Sequence, residues 1–156
     1  MAPPLLFDIS GIDLNRVQVD VAGIEAVNPH RGAMRMLDGI NYFSDDFSLG
    51  VAFKDVRADE FWVPGHIPGR PLFPGVLMIE AAAQFASYVT LLHVDASFMG
   101  FTGLDHVKFR GQVVPGDRLH ILMKRVEVRR QRSICDSQGV VNGALVFEAR
   151  VTGMLM

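Results

Sequence analysis

His66 and Glu80 are the two residues of this 156-residue chain whose types and spacing most invite chemistry. They lie fourteen positions apart in the stretch FWVPGHIPGRPLFPGVLMIEAAAQ, residues 61–84. Prolines at 64, 68, 71 and 74 crowd the histidine and fix φ at each of those positions. Ile67, which precedes Pro68, is biased toward extended backbone. The loop is therefore stiff, and an imidazole on it can be aimed. With an ordinary pKa near neutrality, such a ring is a natural proton acceptor. The alternative is a histidine that merely packs in a turn.

Glu80 falls two turns into an apolar run, with Val76, Leu77, Ala83 and Gln84 as its helical neighbours. A carboxyl group there loses hydration, which favours the neutral acid. A neutral carboxylic acid can donate a proton. The plainer alternative is a helix glutamate that reaches solvent or bonds to Gln84. Gly75 and Val76 open the same run. The first N–H groups of a helix have no intrahelical partner, and they suit a developing oxyanion. A glycine simply tolerated in a first turn is the bland reading of Gly75. Taken together, a base, an acid and oxyanion donors could remove a proton α to a carbonyl and expel a β-hydroxyl as water.

The elements that must position these groups can be read around them. Pro74 suits the first position of a helix, and GVLMIEAAAQFASYVTLLH continues it, apolar on nearly every face. His93 reads as a residue of its C-terminal turn. Upstream, VDVAGIEAVNPH predicts a short helix capped by Asp20 and stopped at Asn28-Pro29. GINYFSDD and SLGVAFKDV predict a hairpin. Downstream, MGFTGLDHVKFR, DRLHILMKRVEVRRQR and GALVFEARVTGML read as long strands, and SQGVVNG as turn residues around a short edge-like piece. One enclosed helix with a run of antiparallel strands is an α+β pattern. A helix apolar all round needs more cover than one sheet face gives, which points to a dimer.

Composition narrows the function classes. The chain is 49% hydrophobic and 21% charged, enough apolar material for one domain with a real core. A net charge of −2 gives no whole-protein attraction to nucleic acid. The run 75–92 approaches the roughly 20 residues of a membrane span. It contains Glu80 and Gln84 and lacks basic anchors, so it reads as a buried helix and no membrane is expected. The single Cys135 excludes an internal disulfide, and the N-terminus lacks a basic n-region. A cytoplasmic location is the expectation. The five histidines have no His-Glu-x-x-His spacing, and no phosphate-binding glycine loop occurs, so neither metal nor cofactor is expected.

GHIPGRPLFPGVLMIEAAAQ resembles the signature of the FabZ-type β-hydroxyacyl-acyl carrier protein dehydratases. The shared pattern is His-x-Pro-x-x-Pro-x-x-Pro-Gly-Val-x-x-x-Glu-x-x-x-Gln. NPHRGAMRMLDGI and GLDHVKFRGQVVPGDRL resemble two further family stretches, so the likeness covers residues 20–153. It implies a hotdog fold, a curled antiparallel sheet wrapped around a long central helix, with residues 1–19 as a lead-in. It implies a homodimer with active sites at the interface, and the family also forms trimers of dimers. His66 from one subunit and Glu80 from the other would be catalytic. Gly75, with Val76 beside it, would bind the thioester carbonyl, and Pro74 and Gln84 would line the site. The implied substrate is a 3-hydroxyacyl thioester on acyl carrier protein, dehydrated to the trans-2-enoyl form in fatty acid biosynthesis. Glu80 is the FabZ-type residue, where the isomerising FabA branch has Asp.

Three departures stand out. Gly100 occupies the place of a family tyrosine that gates acyl entry, which leaves Met99 and Phe101 as substitute cover. Arg35 stands where a more apolar residue is usual, and the lead-in is extra. The basic run KRVEVRRQR reads as a solvated strand face. Alternatively, Arg129, Arg130 and Arg132, with Lys108 and Arg110, dock an acidic carrier. The rival functions are an acyl thioesterase on the same fold and a non-catalytic acyl-binding partner.

Overall fold

In the computed structural model, which describes residues 2–156, the sequence after the lead-in alternates between helix and strand much as its periodicities require. Helix α1 spans Val21–Glu25, and a 3-10 turn follows at Gly32–Met34. Strands β1 (Gly39–Phe43) and β2 (Leu49–Asp55) come next, then the long α2 (Gly75–His93). The chain ends in β3 (Met99–Phe109), β4 (Arg118–Arg129), β5 (Arg132–Val141) and β6 (Ala144–Leu155). All six strands form one sheet in the order β1-β2-β4-β5-β6-β3, antiparallel throughout.

Local chemistry explains the boundaries. Asp20 caps α1, accepting the Gly23 N–H at 2.9 Å. The β1–β2 turn closes on Asp46, which accepts from the Ser44 and Ser48 hydroxyls at 2.8 and 2.7 Å. Bonds from the Ser48 side chain and amide, then from Ser44, pull the Asp46 carboxyl down to about 2. Pro74 has ψ near 131° and is the N-cap of α2 rather than its first helical residue.

Helix α2 lies against strands β2 to β6, so the sheet curls around it in the hotdog arrangement. From Met78 to Thr90 every helical residue except Glu80 is buried. This is the one helix long and apolar enough to cross a membrane among the described residues, and the sheet encloses most of it.

Two expectations about the strands are corrected. β4 stops at Arg129, and the chain reverses at Arg130, whose φ is 56°. SQGVVNG is not a short edge piece: through Val141 it is part of the ten-residue β5, which sits inside the sheet between β4 and β6. The two edges of the sheet are β1 and β3, and on β3 Phe101, Leu104 and Phe109 stay exposed. A long edge strand with exposed apolar side chains is a ready template for pairing with another chain.

The lead-in covers the other face of the sheet. Leu5, Leu6, Phe7, Ile9, Ile12 and Leu14 pack onto Val51, Leu122 and Val140. Gln138 on β5 holds the segment from both sides, accepting the Leu6 N–H at 2.9 Å and donating to the Pro4 carbonyl at 3.1 Å.

Candidate active site

The loop between β2 and α2 carries His66 in a defined posture. Its backbone N–H donates to the Trp62 carbonyl at 2.8 Å. Its ring Nδ1 lies 2.7 Å from the Leu72 carbonyl oxygen. A carbonyl only accepts, so Nδ1 carries the hydrogen and Nε2 keeps a lone pair. The Phe73 N–H bonds the Val113 carbonyl at 2.8 Å, which ties the end of the loop to the β3–β4 connection.

His66, Pro74, Gly75, Val76 and Met78 face Phe109 across a cleft of about 520 Å³. At the head of α2 the Leu77 and Met78 N–H groups return to the Pro74 carbonyl. Gly75 and Val76 precede the first intrahelical bonds, so their donors remain for another acceptor. A side chain on Gly75 would begin 2.7 Å from the Phe109 ring. The bare position is thus already used for close packing by the protein itself.

Glu80 is not among the walls of that cleft. Five helical residues turn it roughly 140° away from Gly75. It lies one turn beyond Val76, a cleft residue that is 73% exposed. Nor is Glu80 fully buried in one chain: its side chain is 26% exposed. Gln84 is buried and holds it, donating from Nε2 to Glu80 Oε1 at 2.8 Å and to the Met34 carbonyl at 2.7 Å. The Gln84 Oε1 accepts the Met36 N–H at 2.8 Å. Gln84 is therefore a strut behind Glu80 and not a wall of the His66 cleft.

His30 belongs to this group, although its type and spacing alone did not mark it. Its Nε2 lies 3.7 Å from Glu80 Oε1. Burial pushes the imidazole below its ordinary pKa, against the opposing pull of Glu80 and with help from Arg31. The signal in the sequence was Asn28-Pro29-His30, a turn that delivers the ring to the helix. Asn28 secures that turn, donating from Nδ2 to the Gln84 carbonyl at 2.9 Å.

The remaining expected residues lie elsewhere in the protomer. Met99 is buried with its sulfur against Gly153, whereas Phe101 is exposed. Both sit at the far end of β3 from Phe109, roughly 26 Å along the strand for Phe101 and roughly 33 Å for Met99. Arg110 borders the cleft but is held by Glu148 through bonds of 3.0 and 3.1 Å. Lys108 is exposed nearby. Arg129, Arg130 and Arg132 gather at the β4–β5 turn, where Arg130 meets Val94 and Asp95 at the other end of α2. The five basic residues thus form two patches separated by the length of the helix, about 28 Å.

A family model described as a FabA-like domain matches residues 28–150. The chain belongs to the FabA-like family. Its FabA-like relatives include the 3-hydroxyacyl-[acyl-carrier-protein] dehydratase FabZ of Brucella abortus, 36% identical over 149 residues. That match covers 92% of this chain and 94% of the relative. Among solved structures, the dehydratase heterocomplex ApeI:P from Xenorhabdus doucetiae superposes with a TM-score of 0.73 at 18% identity. It covers 85% of this chain and 90% of that one. Cj0977, a sigma28-regulated virulence protein of Campylobacter jejuni, superposes with a TM-score of 0.70 at 13% identity, over 93% and 96% of the two chains. At such identities these two likenesses speak for the fold, which hosts more than one function.

Proposed function

We propose that this FabA-like protein dehydrates 3-hydroxyacyl-acyl carrier protein thioesters to their trans-2-enoyl forms, as a step of fatty acid biosynthesis in the cytoplasm. The observation that carries the reading is the fixed tautomer of His66 beside the open N–H groups of Gly75 and Val76. With Nδ1–H committed to Leu72, Nε2 is the base and removes the α proton. The Gly75 N–H, with Val76 behind it, takes the thioester oxygen as negative charge develops there. Glu80 gives its proton to the β-hydroxyl, which leaves as water, and the C–O electron pair departs with it. The proton taken by His66 returns the site to its starting state through Glu80.

In this reading the Glu80 that meets a substrate in the His66 cleft comes from another copy. Its turn away from Gly75 and its partial exposure support a homodimer with shared sites. The exposed edge of β3 supports the same assembly, since two such edges pair about a two-fold axis. The dehydratase name of the Brucella relative supports the substrate class. Arg110 and Lys108 lie closest to the cleft and are the nearer candidates for carrier docking. The arginines of the β4–β5 turn approach a site only through the partner.

Hydration of a trans-2-enoyl thioester, read as loss of enoyl absorbance, tests the reading directly. A free-thiol assay runs beside it. Enoyl consumption without thiol release supports the dehydratase. Thiol release without hydration assigns a thioesterase, and neither signal leaves an acyl-binding protein.

A further inference from the structure

Behind the His66 loop lies an ion pair that the chemistry above does not use. Lys54, on β2, is 3% exposed, and its Nζ lies 3.0 Å from Glu60 Oε2. The Glu60 side chain is 7% exposed. A buried pair of this kind is poor evidence for stability, because desolvation offsets much of its attraction. Its connections point to another use. Glu60 also accepts the Trp62 indole N–H at 3.0 Å and the Arg57 backbone N–H at 2.8 Å. The Lys54 ammonium sits 5.6 Å over the Phe73 ring, and Phe73 packs on Trp62 with centroids 5.4 Å apart.

Those two aromatic residues flank the groups that hold His66. The Trp62 carbonyl takes the His66 backbone N–H, and the carbonyl of Leu72, next to Phe73, takes its ring Nδ1–H. One buried charge pair therefore clamps both ends of the loop whose carbonyls set the height and the tautomer of the ring. Burial alone would raise the Glu60 carboxyl. The Arg57 amide, then Lys54 and Trp62, outweigh it and hold the group below its ordinary value. The anion is thus the bound form.

We infer that Lys54 and Glu60 are positioning residues for the base. They act through Trp62 and Phe73 and touch no substrate. The inference rests on His66 being the base, and its effect belongs in turnover rather than in substrate binding. Lys54→Met removes the cation and leaves Glu60 buried with its two N–H donors. Glu60→Gln keeps the shape and removes the charge.

The test is nitrogen NMR of histidine-labelled protein, with His66→Ala identifying the ring signals, combined with hydration kinetics. In the wild type the neutral His66 ring is expected as the Nδ1–H tautomer. In Lys54→Met and in Glu60→Gln the Nε2–H form is expected to appear. With it, kcat falls roughly 10- to 100-fold, as for a base displaced by about an ångström, while KM stays nearly unchanged. If Lys54→Met fails to fold, Glu60→Gln carries the same readings. An unchanged tautomer and kcat in a folded variant, with only a lower melting temperature, overturns the inference. A tautomer that shifts in a protein without hydratase activity keeps the positioning role and removes the function proposed above.

Discussion

Gln84 Nε2 lies 2.8 Å from Glu80 Oε1, one helical turn apart on α2. The direction of this bond is fixed from behind. The Met36 N–H must donate to Gln84 Oε1, and the Met34 carbonyl must accept from Nε2. The amide therefore presents a hydrogen to Glu80 Oε1, and any carboxyl proton sits on the other oxygen. Gln84 selects which oxygen of Glu80 is left free to carry a proton.

Gln84→Leu is expected to leave the Met36 N–H buried without a partner and to remove the bond to the Met34 carbonyl. A buried donor orphaned in this way costs about 1–3 kcal/mol. Urea denaturation should show that loss, and kcat for hydration should fall with it. Unchanged stability and turnover would mean that the strut has no role.

Much of this site was legible because the sequence spends unusual residues on it. Prolines around His66 and the glutamate within an apolar run have few other uses. β5 was misread for the opposite reason. Its Ser137, Gln138 and Gly139 look like turn residues but are buried and satisfied. Ser137 donates to the Leu122 carbonyl at 2.9 Å, and Gln138 holds the lead-in. Gly139 leaves room for the Phe147 ring. These partners are distant in sequence, so no local pattern announces them. The reversal at Arg130 carries neither Gly nor Asn, and the usual turn signal is missing there. The partial exposure of Glu80 depends on how residues 28–36 pack beside it, which periodicity cannot report.

The lead-in is expected to act as a cover for the sheet and not as part of the site. Replacing Phe7 and Ile9 together by Asp should detach it from Val51, Leu122 and Val140. The expected cost is about 2 kcal/mol per apolar side chain released, with increased binding of a hydrophobic dye. KM for an enoyl thioester should not move. A changed KM with normal stability would place the lead-in at the acyl entrance instead.

Position 100 tests the acyl gate. A side chain there would begin 2.8 Å from the Met156 terminal methyl, the mobile end of a flexible residue. Gly100→Tyr should therefore fold, displacing Met156. If the β3 of one subunit borders the site of the other, the wild type accepts medium and long acyl chains and the variant favours shorter ones. A chain-length series on both proteins measures this. Identical profiles would remove residue 100 from the entrance.

The Glu60 carboxyl is held below its ordinary value near 4.5. Its contribution to stability is thus complete above that unfolded-state value and is lost as pH falls through the lower folded one. Denaturation midpoints followed into acid should fall less steeply for Glu60→Gln than for the wild type. Parallel curves would show that the carboxylate is not preferentially bound by the folded state.

The central claim is that base and acid meet only across two subunits, and subunit mixing tests it most directly. His66→Ala alone should lower turnover by roughly 10²- to 10⁴-fold, the usual range for a general base, and Glu80→Gln should be similarly impaired. After the two inactive proteins are unfolded and refolded together, mixed dimers contain one site with both native groups. Hydratase activity should then return to about one quarter of wild type, since half of the dimers are mixed and each has one of two sites intact. Mixed dimers demonstrated by mass and yet without recovered activity would contradict the shared site.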